Sequence, residues 1–331
     1  MIRFSVIIPN HNHSKFLKQR LDSVLQQTYP DFEVIILDDN SQDNSREIIE
    51  FYRKHERVRH IIYNEKNSGS PFHQWKKGAE LATGEWLWIA ESDDFAEKDF
   101  LQEAAEMISK FPRAGLYYCD SNIVNETNEE FPSKFSIYKN SLFKTTKWDH
   151  SYYSNGIDEI NECLKFDCTI NNMSSMVFQK KILLDAIDFL VDFRYYADWA
   201  LAIKASLSGD ICYSRRAFSY YRKHESSLLH SDTSIVTSRY EYFKILQLLY
   251  YTSNVTEKKR LLDHFVYNYL SFGLIHDGLK KAVRILRTYF KTDSNLALRV
   301  VIRMPGIKLS GKKRPFLFLE EKSALKETSF P

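Results

Sequence analysis

The sequence predicts an α/β protein with a mostly parallel central sheet, followed by a helical module, on three observations. Its first 120 residues alternate short apolar runs with helix-period segments. Two of those runs end in paired acids and a third leads into a polar glycine turn, as expected where parallel strands open onto a ligand crevice. Beyond Ser231 only helical periodicity remains.

Phe4 to Ile8 is a β-branched run that stops at Pro9. Ser14 can cap a helix whose apolar positions Leu17, Leu21, Val24 and Leu25 share one face, with Pro30 as its end. Phe32 to Leu37 reads as the second strand and stops at Asp38-Asp39-Asn40-Ser41; a helix then starts at Asn44 or Ser45 and runs through Ile48, Ile49 and Tyr52. Val58 to Tyr63 is a third strand, followed by the turn Asn64-Glu-Lys-Asn-Ser-Gly69, a helix to Ala82, a stop at Gly84 and a fourth strand, Trp86 to Ala90. A helix over Glu97–Lys110 and a fifth strand over Ala114–Cys119 complete this half. Asn122 to Ser174 reads as long polar loops, with Met176 to Phe178 returning to the sheet and helices over Lys180–Val191 and Ala197–Ser206. Four further helical patterns follow: Arg239–Tyr251, Glu257–Phe272, Leu279–Phe290 and Ala297–Arg303.

Hydrophobic residues at 44%, charged at 27% and aromatic at 15% are globular values and exclude a disordered or low-complexity chain. No apolar stretch approaches 18 residues, and Met1 to Asn12 lacks a small-residue cleavage site, so neither a spanning helix nor a secretory signal is expected. Cys119, Cys163, Cys168 and Cys212 follow neither a zinc spacing nor a disulfide framework; reduced, buried thiols in a cytoplasmic protein are expected. The net charge of +3 hides an asymmetry: Lys280 to Arg314 holds eleven Lys or Arg and one acid, Asp293, so this segment is +10 and the remainder −7. Such a cationic tail suits an anionic surface.

Glu91-Ser92-Asp93-Asp94 places three carboxylates in four residues at the end of a strand. They repel one another, which is tolerable if a hard cation such as Mg2+ or Mn2+ neutralises them or if they form a solvated, helix-capping turn; both readings stand. Asp38-Asp39-Asn40-Ser41 can accept from a base N–H or a ribose hydroxyl, or close an Asx-turn. Neither a GxGxxG nor a GxxxxGK[ST] motif is present.

Taken together, Ser5-Val-Ile-Ile-Pro-Asn-His-Asn12, Leu21-Asp-Ser-Val-Leu-Gln-Gln-Thr-Tyr-Pro30, Phe32-Glu-Val-Ile-Ile-Leu-Asp-Asp-Asn-Ser41, Asn64-Glu-Lys-Asn-Ser-Gly69 and Gly84-Glu-Trp-Leu-Trp-Ile-Ala-Glu-Ser-Asp-Asp94 resemble glycosyltransferase family 2. The resemblance implies the Rossmann-like A-type glycosyltransferase fold. It implies a catalytic domain over 1–230, with a nucleotide-binding half over 1–120 and an acceptor half over 121–230, ahead of a helical, basic module over 231–331. It places Pro9, His11, Asp38, Asp39, Asn67, Gly69 and Asp93 against the nucleotide, and Asp93, Asp94, Glu91 and His224 around a Mn2+ or Mg2+ ion. Glu91 departs from the commoner Asp. Ala197-Asp198-Trp199 resembles the family's acidic pair followed by an aromatic residue, with Ala197 in place of the first acid, which makes Asp198 the general base. Tyr220 to Ser227 resembles the segment that closes over the donor, where Arg222 or Lys223 could pair a diphosphate. Trp75, Lys76 and Lys77 read as helix surface.

The function expected from this is inverting transfer from a nucleotide-sugar, a UDP-sugar above others, to a saccharide or lipid-linked saccharide hydroxyl in bacterial surface polysaccharide synthesis. A catalytically weakened nucleotide-sugar-binding or scaffold subunit is the alternative, motivated by Ala197 and Glu91. Bases mixed with apolar residues over 280–319 suit peripheral contact with the inner face of the plasma membrane or packing on the catalytic domain. A helical tail could also mediate a homo-oligomer. No nucleic-acid module is recognisable.

Overall fold

The structure, a computed structural model, describes residues 2–170, 172–224, 235–266 and 279–309. The chain divides into two compact units, Met1–Asp192 with Ala197–Glu225 and Phe193–Tyr196 with Ser226–Pro331.

The first unit runs β1 (Phe4–Asn10), α1 (Ser14–Leu25), β2 (Phe32–Asp38), α2 (Ser45–Phe51), β3 (Val58–Tyr63), α3 (Pro71–Leu81), β4 (Trp86–Ile89), β5 (Phe95–Ala96), α4 (Phe100–Lys110), β6 (Ala114–Val124), β7 (Glu130–Lys134), α5 (Phe135–Phe143), β8 (Tyr152–Ser154), α6 (Gly156–Glu159), β9 (Met176–Gln179), α7 (Lys180–Leu190), α8 (Ala197–Ser208) and β10 (Asp210–Arg222). The sheet order is β3-β2-β1-β4-β9-β6-β10-β5, with β7 on β6 and β8 on β10. β1 to β4 are mutually parallel. β9 runs against both its neighbours, β4 and β6, so β6 and its parallel partner β10 point the same way as β1. The carboxyl ends of β1, β2 and β4 therefore share one edge, where Asn10 lies beside Asp38.

β1 and β2 are buried at every position, as strands covered on both faces must be. Of the two acids this buries, Glu33 and Asp38, Glu33 is 2% exposed and is satisfied by the Ser5 hydroxyl at 2.6 Å and by the Thr83 N–H and hydroxyl at 2.6 and 2.8 Å. Ser5 Oγ in turn accepts from Gly84 N–H at 2.9 Å. This knot fixes where β4 starts, and it leaves no room at Gly84, whose missing Cβ would lie 2.8 Å from the backbone of Arg3, Phe4 and Ser5.

Several expectations are revised. Helix α4 begins at Phe100 rather than Glu97, because Phe95 and Ala96 pair with Tyr220 and Ser219 of β10. Ser14 does not cap α1; His13 occupies the cap position without a side-chain cap bond, and Ser14 N–H donates to Asp43 Oδ2 at 2.8 Å. The stretch read as loops carries the end of β6, then β7, α5, β8, α6 and a π-helical turn, Ile160–Leu164. Some of its side chains pack onto the sheet: Trp148 Nε1 donates to the Tyr118 hydroxyl at 3.0 Å, and the Lys139 ammonium sits 5.2–5.3 Å from the rings of Tyr118, Trp148 and Tyr213. The long strand β10 has no counterpart in the expectations, since the exposed pair Arg215-Arg216 interrupts its apolar pattern where its register with β6 shifts.

The second unit contains helices Ile235–Thr252, Val255–Phe265, Leu279–Thr292 and Ser294–Leu309. Phe243 and Tyr289 stack at 4.2 Å in its core, and buried Glu241 accepts the N–H groups of Arg194, Tyr195 and Tyr196 at 2.7–3.0 Å. The expected helix to Phe272 is described as far as Val266, and residues 310–319 of the cationic tail lie outside the described residues. Among the described residues no helix is long and apolar enough to cross a membrane.

Gly84→Ala should lower stability by about 1–3 kcal/mol, since the clash is with backbone that cannot rotate away. Urea denaturation of the full chain checks this; an unchanged midpoint would contradict the tight β1–β4 crossing.

Candidate functional site

At the shared strand edge, β1 ends in buried Pro9 and Asn10. Asn10 Nδ2 donates to Asp38 Oδ1 at 2.7 Å and to Ser41 Oγ at 3.1 Å, and Asp38 also accepts Ser41 N–H at 3.0 Å, so Asp38 closes the turn after β2. Asp39 points at the loop before α3. Its carboxylate accepts from Ser68 N–H and Oγ, Asn64 Nδ2 and Gln74 Nε2 at 2.7–3.0 Å. His11 Nδ1 lies 2.9 Å from the Asp39 carbonyl and its Nε2 lies 2.9 Å from Asn67 Nδ2, which fits the Nδ1–H tautomer. His11 and Asn67 are exposed. Gly69, with φ +76°, turns the loop into α3 and donates its N–H to Asn67 Oδ1 at 2.6 Å. Pro9, His11, Asp38, Asp39, Asn67 and Gly69 thus form one wall.

The acidic loop after β4 is pinned at its start by Ala90 N–H on the Ile7 carbonyl at 2.8 Å, and its three carboxylates diverge. Glu91 Oε1 accepts from Trp75 Nε1 at 3.2 Å; burial, then the charges of Asp93 and Asp94, push it up to about 8. Asp94 is 3% exposed and accepts Arg222 N–H at 2.9 Å; burial and the neighbouring Asp93 push it up to about 7. Asp93 turns the other way, to His224 Nε2 at 2.9 Å. Burial acts to raise it, but this hydrogen bond and the nearby imidazoles hold its carboxyl below the usual range.

Two buried arginines bracket this loop. Arg20 of α1, fully buried, donates from Nε to the Glu91 carbonyl at 2.8 Å and brings its guanidinium within 4.0 Å of Asp94 Oδ2. Arg222 at the end of β10 is 1% exposed and donates to the carbonyls of Asp93 (2.7 Å) and Asn125 (3.0 Å), to Asn128 Oδ1 (2.8 Å) and to Gln19 Oε1 (2.8 Å). Its guanidinium therefore holds the acidic loop rather than reaching out for a diphosphate. Lys223 donates its N–H to the Val124 carbonyl at 2.8 Å and carries its ammonium 5.7 Å from the Phe131 ring.

The geometry regroups the residues expected around a metal. Among the described residues, His13, Asp93 and His224 each bring one ligand atom within 4.8 Å of the others, whereas Glu91 and Asp94 are not in this group. Two imidazole nitrogens and a carboxylate oxygen are a donor set suited to a divalent ion. The rings of His13 and His224 meet at 5.6 Å and 84°, and Phe16 packs on His224 at 5.2 Å.

Asp198 stands in the first turn of α8 and accepts Trp199 N–H at 2.8 Å. Ala197 and Trp199 beside it are buried. The Tyr221 hydroxyl is raised by burial and then by the charges of Asp94, Asp93 and Asp198. Arg20 and His13 were not anticipated as parts of the site, Tyr221 falls in the segment expected to close over the donor, and Trp75, expected on a helix surface, is 4% exposed beneath Glu91. Only His13 had a local signal, as a histidine at a position where a hydroxyl or amide normally caps a helix.

Comparison with known proteins bears on the family and the fold. The family model described as Glycosyl transferase family 2 matches residues 5–173. The poly(ribitol-phosphate) beta-N-acetylglucosaminyltransferase TarS of Staphylococcus aureus is 35% identical over 112 residues, 33% of this chain and 19% of its own. The putative teichuronic acid biosynthesis glycosyltransferase TuaG of Bacillus subtilis is 36% identical over 104 residues, 31% of this chain and 41% of its own. The chain thus spans less than half the length of these relatives. The structure of S. aureus TarS 1-349 in complex with UDP-GlcNAc superposes with a TM-score of 0.66 at 20% identity, over 90% of this chain and 84% of that one. The mannosyltransferase PcManGT of Pyrobaculum calidifontis, in complex with GDP-Man and Mn2+, gives 0.57 at 14% identity, over 99% and 88%. With half of its length matched by the family model and its sheet matched by these structures, the chain belongs to glycosyl transferase family 2 and has the α/β fold of that family.

Proposed function

We propose that the chain is an inverting, metal-dependent glycosyltransferase that moves a sugar from a UDP-sugar to a hydroxyl of a saccharide or lipid-linked saccharide in bacterial surface polysaccharide synthesis. The observation that carries this reading is the approach of His224 Nε2 to Asp93 Oδ2, 2.9 Å apart at the end of the acidic loop after β4. TarS, the relative noted above, is named for transfer of N-acetylglucosamine and has been captured with UDP-GlcNAc and with UDP, which supports a uridine diphosphate donor.

Pro9, His11, Asn67 and Gly69 receive the base, Asp38 and Asp39 hold their loops rigid behind it, and Asp93 stands towards the ribose and diphosphate. Asp93 and His224 hold the divalent ion, Mn2+ or Mg2+; when bound, it neutralises the diphosphate that leaves. Asp198 accepts the proton of the acceptor hydroxyl as that oxygen forms its bond to the anomeric carbon and the carbon–oxygen bond to the diphosphate breaks. Glu91 and Asp94, raised towards neutrality, keep the loop from carrying three full negative charges. Residues 1–230 form the catalytic domain and 231–331 a basic helical module. The latter lies on the cytoplasmic face of an anionic membrane, using Arg284, Arg287, Lys291 and Arg299 beside the exposed Val283, Phe290, Leu298 and Ile302.

Asp198→Asn should reduce transfer about 10²–10⁴-fold while UDP affinity stays near the wild-type value. Turnover by UDP release alongside calorimetry with UDP checks this; full turnover in the variant contradicts the base, and tight UDP binding by the wild type with no transfer to any acceptor favours a weakened binding subunit. Chelation with EDTA should abolish transfer and added Mn2+ should restore it; transfer that persists after chelation contradicts the metal requirement.

A further inference from the structure

We propose that His13 is a direct ligand of the divalent ion at this site, forming with Asp93 and His224 a two-histidine, one-carboxylate set that prefers a first-row transition ion such as Mn2+ to Mg2+. The inference rests on the metal-dependent reading above and adds a ligand and an ion preference to it.

His13 sits where α1 begins, just after Asn12 turns the chain with φ 57°. Helix caps favour Ser, Thr, Asp or Asn, whose side chains accept a first-turn N–H, and His13 makes no such bond. A side chain that forgoes the local role its position offers is held there by something else. Its Nδ1 lies 2.8 Å from Ser92 Oγ, inside the acidic loop, which fixes the ring and leaves Nε2 for the ion. A backing hydrogen bond on one ring nitrogen is how ligating histidines are oriented.

The three donor atoms lie within 4.8 Å of one another. Ligands about 2.0–2.2 Å from one ion are separated by no more than about twice that distance, so little inward movement is needed. The nearest permanent cations do not take the place: Arg20 Nε is directed at the Glu91 carbonyl, and Arg222 at the oxygens of Asp93, Asn125, Asn128 and Gln19. Imidazole nitrogen suits transition ions such as Fe2+ and Zn2+; Mn2+, although at home among oxygen donors, belongs to that series and tolerates nitrogen ligands better than Mg2+, which demands near-ideal octahedral geometry and dehydrates reluctantly.

The test is pulsed EPR of Mn2+ bound to the full chain, alone and with UDP, together with Mn2+ and Mg2+ affinities. Asn is favoured at a helix cap, so His13→Asn keeps the fold while removing the imidazole. The wild type should show two coupled imidazole nitrogens, and His13→Asn one, with Mn2+ affinity about tenfold or more weaker and Mg2+ affinity unchanged. His13→Ala should behave as His13→Asn. Two nitrogens retained in His13→Asn, or one nitrogen in the wild type that is lost in His224→Ala, overturns the role of His13 and leaves the proposed function standing. No nitrogen coupling in the wild type, with or without UDP, overturns the histidine set, and transfer that also survives chelation overturns the metal reading on which it rests.

Discussion

The site depends on two guanidinium groups held out of water against an acidic turn. Glu91, Asp93 and Asp94 crowd a short loop at the end of β4, with Asp94 buried and the other two half-buried. Removing ionised carboxylates from water is costly unless charge or hydrogen bonds replace the lost solvation. Arg20 and Arg222 supply charge, from the first helix and the last strand of the same compact unit, and hold the turn by seizing the backbone carbonyls of Glu91 and Asp93. The cost appears on the arginine as well: burial lowers Arg20 to about 10, against the pull of Asp94 and Asp93. With the backbone fixed, each carboxylate has one direction left, and only that of Asp93 leads to the two histidines.

The parallel half of the fold was legible because each strand announced itself twice, by an apolar run and by a polar stop. Asp38, Asp39 and the acidic loop fall at those stops, so their arrival at one edge follows from parallel topology alone. The family resemblance set His224 around a metal ion with Asp93, Asp94 and Glu91 together; in the structure its Nε2 lies 2.9 Å from Asp93 Oδ2. Which acid joins His224 was only partly legible, because a run of three carboxylates says nothing about the direction each side chain takes.

What stayed hidden is long-range. Arg20 looks like one more cation on an amphipathic helix, Trp75 like one more aromatic on another, and nothing local says that both end beneath Glu91. Strand β10 was obscured by Arg215-Arg216, which sit in the irregular stretch of its pairing with β6 and so escape burial. The Asn122–Ser174 stretch misled through composition: part of it packs into the fold, as Trp148 and Tyr152 do by hydrogen bonding the Tyr118 hydroxyl of β6. Arg222 lay in a segment expected at the diphosphate, and its burial assigns it to the loop instead.

The most direct test of this account is Arg222→Met, read by urea denaturation and by calorimetry with Mn2+ and UDP. The variant removes the donors to Asp93, Asn125, Asn128 and Gln19 while keeping apolar bulk against Phe16 and Phe95. Stability should fall by about 3 kcal/mol or more, with Mn2+–UDP binding lost under conditions where the variant remains folded. A variant as stable as the parent, binding Mn2+ and UDP equally well, would show that the acidic turn holds its shape without the buried cation.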